Sequence, residues 1–271
     1  LISVYSRDGK LLFQEIEFRE KENSVVWSHR IVEGAHIYGF GEKGGPLDKR
    51  GWKKLRLENT DPSFRYRNPD VDPLYVNIPF YIMAKRGYAV GVYIDSSSFM
   101  WVDPGCSRGD VLTIEKIGRD LDYYVFSGVD VREVVGLFTK LVGRTYMPPI
   151  WALGYHQSKW SYKSQKEVLS IARKFRELGI PCDAIHLDIH YMENYRIFTW
   201  HPKRFPDPKG MIDELHKMGF KLVTIFDPFI RFDKNYELCK VALEKGYYVM
   251  SKKRKPFVVY GWCGKSVMPD M

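Results

Sequence analysis

Ser164-Gln-Lys-Glu-Val-Leu-Ser-Ile-Ala-Arg-Lys-Phe-Arg-Glu-Leu-Gly-Ile-Pro-Cys-Asp-Ala-Ile-His-Leu-Asp188 is the stretch whose reading decides the fold. Its first four residues form a capping box, in which the Ser hydroxyl takes a free backbone N–H and the Glu reaches back to another. Val168, Ile171, Ala172, Phe175 and Leu178 then make one apolar helical stripe, and Gly179 supplies a left-handed stop. Residues 182–187 follow as a strand apolar enough to be buried on both faces.

Working outward, the same alternation repeats. Residues 151–157 read as a strand before this helix. Downstream, Asp207-Pro208 gives a cap with proline at the first helical position, Ile212, Leu215 and Met218 share one face, and Gly219 ends the helix. Residues 221–226 make a third strand. Strands alternating with capped helices predict parallel βαβ units. A dinucleotide-binding sheet would want a Gly-rich turn after its first strand, and Ser158-Lys-Trp-Ser-Tyr162 has no glycine. A (β/α)₈ barrel is therefore favoured over a doubly wound sheet.

Upstream the texture differs. From Leu1 to about Phe126 the chain reads as short strands rich in β-branched and aromatic residues, among them 90–95, 111–117 and 121–126, punctuated by Gly, Pro, Asp and Ser. This predicts a β-sandwich or barrel. Val134, Val135, Phe138 and Leu141 fall at helical spacing over 131–141, with Gly143 as a stop. Pro148-Pro149 then fixes an extended linker. The expected architecture is a β-sandwich over residues 1–146 and, over 147–271, roughly the first three β/α units of a barrel left incomplete in this chain.

The 271 residues are 45% apolar and 15% aromatic, enough for two cores. Lys and Arg exceed Asp and Glu by 42 to 33, a net charge of +9. The basic residues cluster at 49–56 and 251–255 without any Gly-rich phosphate cradle, so a solvated surface is expected rather than a nucleic-acid partner. No run of 18 apolar residues occurs, and no membrane partner is expected. Cys106, Cys182, Cys239 and Cys263 match no zinc spacing, and as reduced thiols they fit a cytoplasmic location. The first residue is Leu1, in strand-like sequence, which leaves room for a segment upstream.

Asp188 and Asp227 end successive predicted strands, where a barrel presents groups to a ligand. A lone Asp there would more often cap a loop; two in register on adjacent strands favour function. Trp160, Tyr162, Tyr191, Tyr195, Phe198, Trp200 and Trp262 lie near them in sequence. Flat apolar faces beside carboxylates suit a sugar ring, although about half of such aromatics serve packing. His186-Leu-Asp-Ile-His190, read as a strand, would align three metal-ligand types on one face, but structural histidines are the commoner outcome and no metal is expected.

Several segments together resemble glycoside hydrolase family 31, the α-glucosidase and α-xylosidase family. They are Gly39-Phe-Gly-Glu-Lys43, Asp72-Pro-Leu-Tyr-Val-Asn-Ile-Pro-Phe80, Pro148-Pro-Ile-Trp-Ala-Leu-Gly-Tyr155 and Leu187-Asp-Ile-His-Tyr-Met192. Phe198-Thr-Trp200, Arg204-Phe-Pro206, Ile225-Phe-Asp-Pro228, and Trp262-Cys-Gly264 with Pro269-Asp270 complete the set. The resemblance implies a retaining α-glucosidase acting on terminal α-linked glucose of oligosaccharides, without cofactor, and is compatible with a homo-oligomer. It implies that Asp188 bonds sugar hydroxyls beside Ile189, that Ile225 and Trp262 wall the same subsite with Asp227 nearby, that Trp160 lies near the leaving-group sugar, and that Asp61 belongs to a loop reaching the site. The family's nucleophile segment, Trp-x-Asp-Met-Asn-Glu, does not occur here, so the nucleophile and acid/base are expected beyond Met271. His190 stands where most members carry Asp, and Cys263 where most carry Pro. An α-xylosidase or transglucosidase, or an inactive sugar-binding fragment or half of a split enzyme, would share these motifs.

Overall fold

The computed structural model describes residues 1–62 and 68–270. The chain forms two compact units, Leu1–Tyr146 and Met147–Met271.

The first unit contains β1 (Ser3–Tyr5), β2 (Leu11–Glu20), β3 (Ser24–Arg30), β4 (His36–Gly41), β5 (Leu55–Leu57), β6 (Asn77–Lys85), β7 (Tyr88–Ile94), β8 (Met100–Pro104), β9 (Val111–Ile117), β10 (Tyr123–Gly128) and helix α1 (Val131–Val142). The strands make a six-stranded sheet, ordered β1-β2-β3-β9-β8-β5, and a four-stranded sheet, β10-β7-β6-β4. All pairings in both are antiparallel. Inward side chains, among them Phe13, Trp27, Ile37, Phe40, Tyr81, Val92 and Ile114, form one apolar cluster, and Trp27, Ile37, Phe40 and Tyr81 are fully buried. Burying each such side chain stabilises by about 1.5–3 kcal/mol. Inside this core His29 and Tyr81 are hydrogen-bonded and their rings stack at 5.7 Å.

Helix α1 covers the four-stranded sheet. Asp130 caps it by accepting the Glu133 N–H at 2.9 Å, and the Phe138 ring stacks on Phe80 at 3.9 Å. Gly91 on β7 permits the approach, because a Cβ there would sit 2.5 Å from Val134 Cγ1. The helix expected at 131–141 thus belongs to the sandwich unit and runs one residue further, to the left-handed Gly143.

The second unit contains β11 (His156–Gln157), α2 (Gln165–Glu177), β12 (Ala184–Leu187), α3 (Pro208–Lys217), β13 (Lys221–Thr224), β14 (Ile230–Arg231), α4 (Glu237–Lys245), β15 (Val258–Gly261) and β16 (Gly264–Val267). Strands β11, β12 and β13 pair in parallel, in that order. Strands β14, β16 and β15 make a small antiparallel sheet. Among the described residues no closed barrel forms. Val168, Ala172, Leu187, Phe205, Met211, Leu215 and Phe220 pack between the parallel strands and their helices.

The helix signals act largely as read. Ser164 Oγ accepts the Glu167 N–H at 3.2 Å, while the Glu167 carboxylate takes the N–H of Lys163, one residue before the cap, at 2.7 Å. Asp207 accepts the Gly210 N–H at 2.9 Å. The strand expected over 151–157 is shorter, only His156–Gln157. After Pro149 a 3₁₀ turn spans Ile150–Leu153, and Ala152 and Gly154 donate to the carbonyls of Pro149 and Trp151 at 2.9 and 3.3 Å. Local bonds take backbone groups that have no partner strand on that side.

Candidate functional site

The ends of β12 and β13 lie side by side, Leu187 paired with Thr224, and the chain turns at once into two loops. Ile225 N–H still donates to Leu187 O at 2.9 Å, which carries the register one residue past the strand. Asp188 leaves β12 half-buried, and its Oδ1 accepts the Ile189 N–H at 2.8 Å. That bond caps a 3₁₀ turn over Ile189–Tyr191. The Tyr191 hydroxyl crosses to Ile225 O at 3.1 Å and fastens this turn to the end of β13. Asp227 sits in the facing loop, and burial, reinforced by the charge of Asp188, raises its carboxyl above the ordinary range. The charge of Asp188 therefore reaches Asp227 in the facing loop.

A chain of rings passes through His190, two residues after Asp188. Trp160 and His190 have centroids 6.4 Å apart, His190 and Tyr195 5.7 Å, and Tyr195 and Trp262 5.6 Å, the last two edge-on. Edge-to-face contacts at these distances fix ring orientation. The end members are accessible: Trp160 is 82% exposed and Trp262 45%. His190 lies between them, with Nδ1 2.7 Å from Ser161 Oγ. Trp160, Ser161, Lys163 and His190 line a shallow concavity of about 220 Å³.

This geometry corrects the reading of 186–190 as one strand. The strand stops at Leu187, and the turn at Asp188 sends His190 toward Ser161 instead of alongside His186. His186 Nε2 instead meets His156 Nδ1 at 3.0 Å, and burial followed by the neighbouring His156 lowers its basicity. Among the described residues no group of three or more His, Cys, Asp or Glu is placed to hold a metal ion. Cys263 is buried, its Sγ 3.2 Å from Ser266 Oγ.

Asp188, Ile189, Ile225 and Asp227 are brought together at the strand ends, and Trp160 and Trp262 are joined through His190 and Tyr195. Asp61 belongs to the first unit, exposed, with its Oδ1 accepting the Tyr75 hydroxyl at 2.7 Å. Two features carried no sequence signal of their own. Ser161 is marked only by its place beside Trp160, and the partner that Asp72 finds in Lys43 lies 29 positions upstream.

Comparison with known proteins gives this arrangement a class. The family model described as the glycosyl hydrolases family 31 TIM-barrel domain matches residues 145–271, and the glycosyl hydrolase 31 N-terminal galactose mutarotase-like domain matches residues 2–103. The chain belongs to glycosyl hydrolase family 31. It is 37% identical over 273 residues to alpha-glucosidase 2 of Bacillus thermoamyloliquefaciens, covering 99% of this chain and 34% of that protein. It is 36% identical to an alpha-glucosidase of Saccharolobus solfataricus, covering 93% and 36%. A family 31 dextranase of Flavobacterium johnsoniae, solved with isomaltotriose, superposes with a TM-score of 0.90 at 29% identity, covering 99% of this chain and 33% of that one. The chain spans about a third of the length of these relatives.

Proposed function

We propose that this chain is the substrate-holding portion of a retaining α-glucosidase that releases terminal α-linked glucose from oligosaccharides. One observation carries the proposal. Asp227, in the loop after β13, feels the charge of Asp188 at the end of adjacent β12, and His190 of the turn that Asp188 caps belongs to a row of rings ending in two accessible indoles. Carboxylates accept from sugar hydroxyls, and indole faces stack on the C–H faces of a pyranose. In this reading Asp188 bonds hydroxyls of the terminal glucose, Ile189, Ile225 and Trp262 wall it, Asp227 supports the same subsite, Trp160 meets the sugar on the leaving side, and Asp61 belongs to a loop that touches the substrate.

Strands β11 to β13 are read as the first three of eight. Retention requires a nucleophile and an acid/base about 5 Å apart across the anomeric carbon. With about a third of the relatives' length present, we place both outside these 271 residues. Neither metal nor organic cofactor enters the chemistry. All four cysteines are unpaired, in keeping with a cytoplasmic setting, and among the described residues no helix is long and apolar enough to cross a membrane.

The test uses the full-length protein. Release of 4-nitrophenol from the α-glucoside, faster than from the α-xyloside, is expected, and Asp188→Asn should lower kcat/KM at least a hundredfold. The isolated 271-residue chain should give no turnover. Preference for the xyloside would favour an α-xylosidase, and transfer to sugar acceptors in place of water a transglucosidase. Failure of the full-length protein to cleave any α-glycoside would leave a sugar-binding chain.

A further inference from the structure

In the first unit, Lys43 is a lysine with no access to water: its side chain is 1% exposed, and that of Asp72, 2.9 Å from its Nζ, is 3% exposed. A buried ammonium is costly unless its protons are all received. Here Nζ also donates to Arg56 O and to Asn77 Oδ1, each at 2.6 Å, while Asp72 Oδ1, which takes no hydrogen bond of its own, balances the charge as an ion pair. Burial pulls the amine below its ordinary value, and Asp72 pulls it back.

The partners share one location. Arg56 is in β5 and Asn77 opens β6, the two strands that flank the segment carrying Asp61 and Asp72. Asp72 Oδ2 accepts the Arg56 N–H at 2.7 Å. Asn77 Nδ2 donates to Glu58 O at 2.8 Å and Leu74 O at 3.0 Å. From this knot the two limbs run on together. Thr60 N–H donates to Leu74 O at 3.4 Å, and the Tyr75 hydroxyl then reaches Asp61 Oδ1 at 2.7 Å. Lys43 itself is delivered by an irregularity in β4, whose register slips between Gly39 and Gly41 around Phe40 at φ 68°. A Cβ on Gly41 would lie 2.5 Å from Val76 O, so glycine is required there.

We infer that Lys43, through its buried pair with Asp72, is a positioning residue that holds both limbs of the Asp61 segment and so sets where Asp61 meets substrate. The inference rests on the proposed role of Asp61. It predicts separable effects for charge and for position. Removing Lys43 alone leaves a buried carboxylate unpaired and destabilises the unit. Removing both charges restores stability but not the bonds to Arg56 O, Arg56 N and Asn77.

The experiment measures melting temperature, KM and kcat of the full-length protein on 4-nitrophenyl α-glucoside for Lys43→Met, for Lys43→Met with Asp72→Leu, for Asn77→Ala and for Asp61→Asn. The double variant should melt nearer wild type than Lys43→Met yet keep a KM about tenfold raised, with kcat within twofold. Asn77→Ala should move KM the same way by a smaller factor, and it decides the matter should the double variant not fold. A folded double variant, or Asn77→Ala, with wild-type KM overturns the inference while a raised KM in Asp61→Asn leaves the role of Asp61 standing. An unchanged KM in Asp61→Asn overturns that role, and the inference with it.

Discussion

In the sandwich unit Trp27, Tyr81 and Phe40 are fully enclosed between two antiparallel sheets, whereas in the second unit Ile150, Leu153 and Phe226 are 88%, 71% and 51% exposed around three parallel strands. The composition of the two halves is similar; the pairing rule is not. An antiparallel sandwich brings successive strands together through short turns and covers its inner faces with its own residues. A parallel sheet needs a helix between neighbours, and three strands leave β11 and β13 as edges. Stability should therefore concentrate in the first unit and ligand-facing groups in the second.

That contrast is open to attack by substitution. The largest effect is expected for Trp27→Ala, which empties the centre of the sandwich and should cost about 3–5 kcal/mol in chemical denaturation. A loss below about 1 kcal/mol would break the comparison. Next comes pH. His29 is fully buried, and desolvation drops its imidazole from 6.5 to about 4. Above pH 6.5 the ring is neutral whether folded or unfolded, and there is no penalty. As pH falls from 6.5 toward about 4 only the unfolded chain takes the proton, so stability is lost across that window, by about 3 kcal/mol in all. His29→Gln should flatten this slope in urea melts recorded from pH 7 to 4 (~3-unit span).

On the other side, Ile150→Ala in the 3₁₀ turn should change the stability of the 271-residue chain by less than about 0.5 kcal/mol, since the side chain is already in water. A larger loss in the full-length protein than in this chain would show that residues outside it cover the turn. The smallest effect sharpens the site itself. Asp188→Asn removes the neighbouring charge that helps raise Asp227, so the Asp227 carboxyl should titrate lower in an NMR pH series while still held up by burial. No movement would mean that the two loops do not share a field.

The sequence carried the parts of this molecule that depend on near neighbours. Ser164, Asp207, Gly179 and Gly219 punctuate helices through bonds three to five residues long, so their spacing was legible. Asp188 was legible for a related reason, because an apolar run ending in a carboxylate marks a strand tip, but Asp227, expected to end a strand over 221–226, lies three residues past Thr224 in the loop, since the ladder to β12 gives out there. The strand over 151–155 was not, because its residue types suit a strand but no partner is in register with them. Nor was the turn at Asp188, where the side chain bonds the next backbone N–H and breaks the alternation that 186–190 suggests. The pairing of Lys43 with Asp72 has no period at all. It follows from two strands meeting, and only coordinates reveal it.

Strands β1 to β10 find every ladder partner among Leu1–Tyr146. During synthesis at roughly 5–20 residues per second, the stretch that makes this unit is available within about 7–30 s. It can therefore crystallise out of the nascent chain while β11 to β13, separated from one another by whole helices, are still being delivered. Within the unit the longest wait is that of β3 for β9, whose ladder joins residues 24–30 to 111–117.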